Sequence, residues 1–568
     1  MDMTASTALP KGGPAFDRET AASRSGSAAR IACMLLMAVA LAMFALNIHH
    51  GIGVYPDSTR YMGISPVPYD APVYHWMLVG GHALGPSLMT VAAVLAALFL
   101  CTNVLLIFAL VRRASGDWRF AAAATAIIIL APQFVTLHSG AMSEAPFMTF
   151  MMATMWFALD YFQHGRRRDL LLASILLGVA TLTRFTGPPL GAAIALVILA
   201  RPAVPLGRRV VDCALLALAG GALFFGWVVW STETVGHSIG RDLVFYGNMG
   251  ARQWHNNLET LAAWLFPDEV PLPLRVALLL AVIGFAGWQS LRQWHRWRLS
   301  TAESPDLRAA FSLVLAIFVV AYLAFVWLST SLEANLSLNG RYALPAYFAF
   351  MMLLAVEASA LDRSGKGARK SERIVLAALA VLALAVMGSH TVRSAVRTHQ
   401  VYAKGFGYSA RIWSESPTIA AVRTLPANAV IYSNGPEVIA LLDERAALVS
   451  PHERQLRTDR PEPGNPASRQ IDAIRARAAV GDVPVYLVIF DNVDWRFYLT
   501  PEETLVRDLS PQVVTRLTDG RVYRVLPAPA QPVHVQPTPA QPVHVQPAPA
   551  QSVHVQPAPA QPVSGPRP

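Results

Sequence analysis

Runs of apolar residues alternate with short polar stretches for most of this chain, and eleven of them stand out: Ile31 to Ile48, Leu88 to Val111, Phe120 to Leu137, Ala145 to Phe162, Leu170 to Thr183, Thr186 to Ala200, Val210 to Trp230, Pro273 to Ser290, Ala309 to Leu328, Tyr342 to Leu361 and Ile374 to Ser389. A helix needs roughly 20 apolar residues to cross a hydrocarbon core of about 30 Å. The pattern therefore predicts an α-helical polytopic membrane protein with about eleven transmembrane helices. The fifth and sixth runs are short and meet at Arg184-Phe185-Thr186-Gly187-Pro188-Pro189, which predicts two short helices joined near one membrane surface.

After the last run the pattern becomes polar with short alternating elements, as in a small soluble α/β domain. Ser416-Pro417 predicts a capped helix start, with a helix running to Leu425. Asn428 to Ser433 and Val483 to Phe490 read as strands, Ser468 to Ala479 as a helix, and Val513 to Leu517 with Arg521 to Leu526 as a hairpin closed by Thr518-Asp519-Gly520. From Pro527 a Pro/Ala/Gln/Val/His decapeptide repeats, with His534, His544 and His554 once per copy. That tail predicts a disordered, extended spacer, because its valines alternate with polar residues and proline. The expected organisation is a cytoplasmic segment 1–30, a membrane domain 31–390, an extracytoplasmic domain 391–526 and a tail 527–568.

Charge orients this layout. With the N-terminus inside, the inner segments hold twenty-two Lys and Arg, from Lys11 to Arg373, whereas the outer loops before the last domain hold six: Arg60, Arg184, Arg241, Arg252, Arg275 and Arg341. Lys/Arg bias sets membrane orientation, so the soluble domain is expected outside, across a bacterial inner membrane. Only 14% of residues are charged, against about 25% in soluble proteins. The net charge of +10 comes from these loops and forms no basic stripe interleaved with aromatics, so a nucleic-acid partner is not expected. Cys33, Cys101 and Cys213 lie in or beside membrane runs and read as small apolar residues. No Ala-x-Ala cleavage pattern follows the first run, which reads as an uncleaved anchor.

The candidate chemistry gathers in the outer loops. The first contains Asp57-Ser58-Thr59-Arg60-Tyr61 and Asp70-Ala71-Pro72-Val73-Tyr74-His75-Trp76. The second, His138 to Glu144, puts another carboxylate at the start of a helix, where the dipole favours it. Asp57 and Glu144 can converge, or each can be an ordinary solvated or helix-capping acid. His75, His82 and Trp76 fit membrane-surface anchors on a helix Pro72 to Leu84.

Four pieces together resemble the GT-C fold glycosyltransferases of family 39 type, the protein O-mannosyltransferases and aminoarabinose lipid A transferases, with the rhizobial lipopolysaccharide galacturonic acid transferases. Asp57 to Tyr61 is similar to the first-loop aspartate segment, and Asp70 to Trp76 to the segment that follows it. Met142-Ser143-Glu144 and Gly178-Val179-Ala180-Thr181-Leu182-Thr183-Arg184 are similar to two further landmarks. Gly340-Arg341-Tyr342-Ala343-Leu344-Pro345 is similar to an Arg-Tyr-x-x-Pro motif near the start of a late helix. Ser58 stands where many relatives have a second acid, and Ala71 where many have a cation.

The resemblance implies an enzyme that transfers a sugar from a polyprenyl-phosphate donor to an extracytoplasmic lipid, glycan or protein acceptor. Asp57 would be the base, and Glu144 a second acid orienting the acceptor or a divalent metal. Arg341 is the expected phosphate partner, with Tyr342, Arg184, Arg60 and Asp70 as further substrate contacts. A lipid or solute transporter, or an envelope polysaccharide polymerase or ligase, is the alternative. A transporter should carry charges at the membrane midplane, and here the acids sit at the outer ends of the runs.

Overall fold

The computed structural model of the protein describes residues 14–64, 71–235, 250–332, 336–362, 370–456 and 459–527, with the backbone alone for 14–24 and 235. Asp70, Arg241, several of the inner-loop cations and the repeat tail lie outside the described residues.

Each of the eleven apolar runs is helical. They form α1 Pro14–Asn47, then, after two short helices α2 Pro56–Tyr61 and α3 Pro72–His82, α4 Leu88–Ser115, α5 Trp118–Ile129 with α6 Pro132–His138, α7 Glu144–His164, α8 Arg167–Thr183, α9 Pro188–Leu199 and α10 Leu206–Val235. After α11 Ala251–Ala262 come α12 Leu272–Leu299, α13 Leu307–Thr330, α14 Gly340–Asp362 and α15 Lys370–Lys404. By length and composition seven of these can each cross a membrane, and α5 with α6, bent by 70°, makes an eighth candidate. This is a multi-pass membrane protein. The third run is thus broken, at Ala131-Pro132, where proline cannot continue the helix's hydrogen bonding. At 12 residues α9 rises only about 18 Å, so α8 and α9 are a short pair, as their sequence predicts.

Small residues let the helices of this region approach closely. A Cβ at Gly178 would lie 2.9 Å from the Gly220 carbonyl oxygen. Beside it the Ser174 hydroxyl donates to the Leu216 carbonyl at 2.6 Å and accepts from the Gly220 amide at 2.7 Å. Such contacts replace the hydrophobic drive that lipid removes. One end of the bundle gathers the arginines of four loops: Arg113 pairs with Asp160 at 2.7 Å, Arg167 with Asp212 at 2.9 Å, and Arg201 and Arg308 donate to the carbonyls of Thr301 and Ser115 at 3.1 Å each. Asp57, Glu144 and Arg341 lie at the opposite end.

The boundary expected at 390/391 falls inside a helix, because α15 runs on to Lys404 and lifts Arg393 and Arg397 beyond the apolar run. The soluble domain then adds α16 Arg411–Ser414, α17 Pro417–Arg423, α18 Pro436–Asp443, α19 Ala467–Val480 and α20 Glu502–Leu509 around five strands, β1 Val430–Ser433, β2 Leu448–Val449, β3 Val485–Phe490, β4 Gln512–Leu517 and β5 Gly520–Val525. Their order is β2-β1-β3-β5-β4, with β2, β1 and β3 parallel and β5 antiparallel to both β3 and β4. All of β3 is buried, as a central strand covered on both faces must be. Val485, Leu487 and Ile489 face Ile471, Ile474 and Leu505 of α19 and α20. Tyr486, Val488 and Phe490 belong instead to the core that continues through Trp413, Ile419 and Tyr408 into the membrane helices. The hairpin turn supports this packing, since Asp519 accepts from the Ser416 hydroxyl and from the amide and hydroxyl of Thr418, at 3.1 and 2.6 Å, and so caps α17.

Candidate active site

Three chain segments converge at the Asp57 end. The first loop is held on both sides: the Gly53 amide donates to the Ser139 carbonyl at 2.9 Å, the Ala141 amide to Gly53 at 2.8 Å, and the Tyr408 amide to Val54 at 2.7 Å. Gly407 makes the last contact possible. Its φ is +59°, and a Cβ there would lie 2.3 Å from the Val54 carbonyl oxygen. The soluble domain's entry segment is therefore stitched to the loop that leads into α2.

Within α2 the buried Ser58 accepts from the Tyr55 amide at 2.9 Å and donates to the Met142 sulfur at 3.5 Å, which fastens the helix to the second loop. The second loop has its own support: His138 is buried, with Asn103 donating to its Nε2 at 2.8 Å and its Nδ1 donating to the Phe134 carbonyl at 2.8 Å. Asn103 also donates to the Ala145 carbonyl at 3.0 Å, next to Glu144. At the start of α14, Asn339 accepts from the amides of Arg341 and Tyr342 at 3.0 and 3.1 Å, which sets Arg341 in the first helical turn.

Arg341 bridges the two acids. Its Nη1 lies 2.5 Å from Asp57 Oδ2, and its Nε donates to Glu144 Oε1. Arg60 pairs with Asp57 Oδ1 at 2.5 Å, and Arg184 pairs with Glu144 Oε1 at 2.7 Å while donating to Ser143 Oγ at 3.2 Å. The Tyr342 ring lies beside Arg184 and Arg341, 5.5 Å from each guanidinium carbon, an arrangement that favours the cations electrostatically. Glu144 is 1% exposed, and its Oε2 has no hydrogen-bond partner among the described residues. The guanidiniums of Arg60, Arg184 and Arg341 thus meet the carboxylates of Asp57 and Glu144. Burial acts to raise the Asp57 carboxyl, but Arg341 and Arg60 outweigh it and hold it below the usual carboxylate range.

A cavity of about 480 Å³ opens beside Asp57 and Arg341, lined also by Tyr55, Gln133, Arg397 and Trp495. Of the residues expected from sequence, Asp57, Glu144, Arg60, Arg184, Arg341 and Tyr342 meet in one cluster, and Asp70 lies outside the described residues. Sequence reasoning missed Tyr61 and Ser143, whose hydroxyls meet at 3.1 Å within the cluster, and Arg397 and Trp495 on the far wall. Tyr61 stood inside the first-loop motif and Ser143 beside Glu144. Arg397 and Trp495 carried no local signal, because the tertiary fold alone puts them over the cavity.

The residues present do not fit a divalent metal. Such an ion is held by several free oxygens, whereas both acids here already share cations, and among the described residues no group of three or more His, Cys, Asp or Glu is placed to hold one. The donor set suits an anion.

Residues 68–230, from the segment before α3 through most of α10, match the family model of dolichyl-phosphate-mannose-protein mannosyltransferases. That span contains Glu144 and Arg184. Across the whole fold, the chain is similar to ArnT from Cupriavidus metallidurans bound to undecaprenyl phosphate, with a TM-score of 0.51 at 16% identity over 87% of this chain and 98% of that one. It is similar to the apo state of the same protein at 0.51 and 17% identity, over 87% and 97%. The chain has their fold, the GT-C fold of membrane glycosyltransferases. The archaeal oligosaccharyltransferase AglB from Archaeoglobus fulgidus also matches, with a TM-score of 0.47 at 13% identity over 81% of this chain and 69% of that one. No curated protein matches the sequence.

Proposed function

We propose that this protein is a glycosyltransferase that moves a sugar from a polyprenyl-phosphate donor to a hydroxyl of an extracytoplasmic acceptor, with inversion at the anomeric carbon and Asp57 as the base. The observation that carries the reading is the Arg341 bridge between Asp57 and Glu144 at the wall of an open cavity. Arginine's planar fork suits phosphate oxygens, and Arg341 and Arg184 together present two forks beside one potential base.

In the reaction the acceptor oxygen forms a bond to the anomeric carbon as the bond from that carbon to the phosphate oxygen breaks. The electron pair leaves with the phosphate, whose charge Arg341 and Arg184 neutralise, and the acceptor proton passes to Asp57. An Asp held by two arginines is a weak base. A donor phosphate competing for Arg341 removes one of those partners, so the Asp57 carboxyl rises toward its ordinary range as the donor binds. Base strength then appears where the leaving group is already in place. Glu144, fixed by Arg184, keeps the two forks in register and orients the acceptor.

The lipid donor places the site in the membrane, and the arginine-rich end opposite Asp57 supports a cytoplasmic N-terminus with the soluble domain outside, in a bacterial inner membrane. The test is transfer by the purified protein in lipid, using a panel of undecaprenyl-phosphate sugars with envelope glycolipids, glycans and proteins as acceptors. Transfer in the wild type that disappears in Asp57→Asn supports the reading. Transfer unaffected by that substitution overturns the base assignment.

A further inference from the structure

The cavity beside Asp57 has a second wall, and the soluble domain supplies it. Trp495 sits in the loop between β3 and α20 and lines the same cavity as Asp57 and Arg341. It remains 41% exposed. Scattered exposed aromatics need no explanation, but this one is held in place. The Arg496 guanidinium lies 4.7 Å from the Trp495 ring centroid, and Arg496, itself nearly buried, donates to Glu437 in the first turn of α18. Helix α18 packs against α2. The indole is thus tied, through Arg496 and Glu437, to the helix that bears Asp57.

We infer that Trp495 is a platform for a sugar ring of the acceptor, so that the acceptor is a saccharide and the soluble domain selects it. The inference rests on the glycosyltransferase reading above. A pyranose presents an apolar C–H face that complements the negative face of an indole, and its hydroxyl edges need polar partners. Gln133 and Asn339 line the cavity with amides, and Arg397 reaches it from the extended part of α15. Arg397 is exposed and donates to Thr136 at 2.7 Å, so its guanidinium adds a cation to the acceptor side. A saccharide bearing a phosphate or carboxylate is preferred over a neutral one. An extended peptide would pair with a sheet edge through its backbone, and the edge strands β2 and β4 do not line this cavity.

The test is saturation-transfer NMR on the full-length protein in lipid nanodiscs, where no sugar-headed detergent competes. The probes are a phosphorylated disaccharide, its neutral counterpart and a Ser/Thr-rich peptide. We expect the phosphorylated disaccharide to bind, with affinity about tenfold lower in Trp495→Ala, as for the loss of an aromatic contact in a polar site, and largely retained in Trp495→Phe. Arg397→Gln should bring the phosphorylated probe down to the neutral one. Equal affinity in wild type and Trp495→Ala overturns the platform, as does peptide binding that depends on Trp495. Because Asp57→Asn should still bind the probe, a chain that binds it through Trp495 yet transfers no sugar would refute the proposed reaction and leave the platform standing.

Discussion

Arg341 and Asp57 are 284 residues apart in the chain and meet at 2.5 Å. One guanidinium engages both acids of the site, through Nη1 to Asp57 and through Nε to Glu144. In the proposed reaction, a donor phosphate that draws Arg341 from Asp57 would couple donor binding to base strength.

Asp57→Asn keeps the shape of the side chain and loses the ability to take a proton. Loss of general-base assistance typically removes about 10²- to 10⁴-fold in rate, and turnover of the purified variant should fall accordingly while it still inserts and purifies normally. Normal turnover would exclude Asp57 as base.

Arg341→Ala should weaken donor use by about 1.5–3 kcal/mol, the contribution of a hydrogen bond to a charged group, and Arg341→Lys should recover only part of it because a point charge replaces a fork. Donor-dependent kinetics measure this. Unchanged donor kinetics in both variants would move the phosphate to other residues.

Glu144→Gln removes the shared charge partner of Arg184 and Arg341, so that a neutral amide faces the mostly buried Arg184 and the partly exposed Arg341. Breaking a buried pair costs about 3–5 kcal/mol, so thermal unfolding in lipid should occur at clearly lower temperature than in wild type. A midpoint equal to wild type would show that water already solvates these cations.

Acid should act on this site in a defined order. Asp57 is ionised throughout the neutral range, because its folded-state carboxyl lies below the unfolded value of about 3.9. Its ion pairs therefore stabilise the protein above that value, and the contribution is lost as pH falls through the lower folded value. The acid limb of kcat/KM, which reports the free enzyme, should lie below that of kcat, which reports the donor complex where Arg341 has turned to the phosphate. Coincident limbs would argue against the exchange.

Gly407→Ala tests the stitch between the soluble domain and the first loop. The position has positive φ and no room for a methyl group against Val54, and strain of this kind costs on the order of 1–3 kcal/mol. Activity should fall with the membrane fold intact, measured by turnover alongside detergent-resistant folding. Wild-type turnover would uncouple the domain from α2.

The sequence by itself determined the helices and most of the soluble elements. Apolar runs long enough for lipid are helical because a chain in hydrocarbon must satisfy its own amides, and β3 announced itself as an unbroken apolar run. It also pointed to Asp57, Glu144, Arg184 and Arg341 through the family-like motifs in which they stand, since an acid or arginine at the end of an apolar helix is by itself ordinary. What it left undecided was the pairing. That Arg341 takes both acids, that Gly407 locks the first loop, and that α15 continues to Lys404 and carries Arg397 over the cavity depend on contacts between segments up to hundreds of residues apart. Periodicity reports which face of an element is buried and is silent on which element covers it, so the bend at Ala131-Pro132 and the approach of Trp495 to Asp57 were decided only when the helices and the sheet packed together.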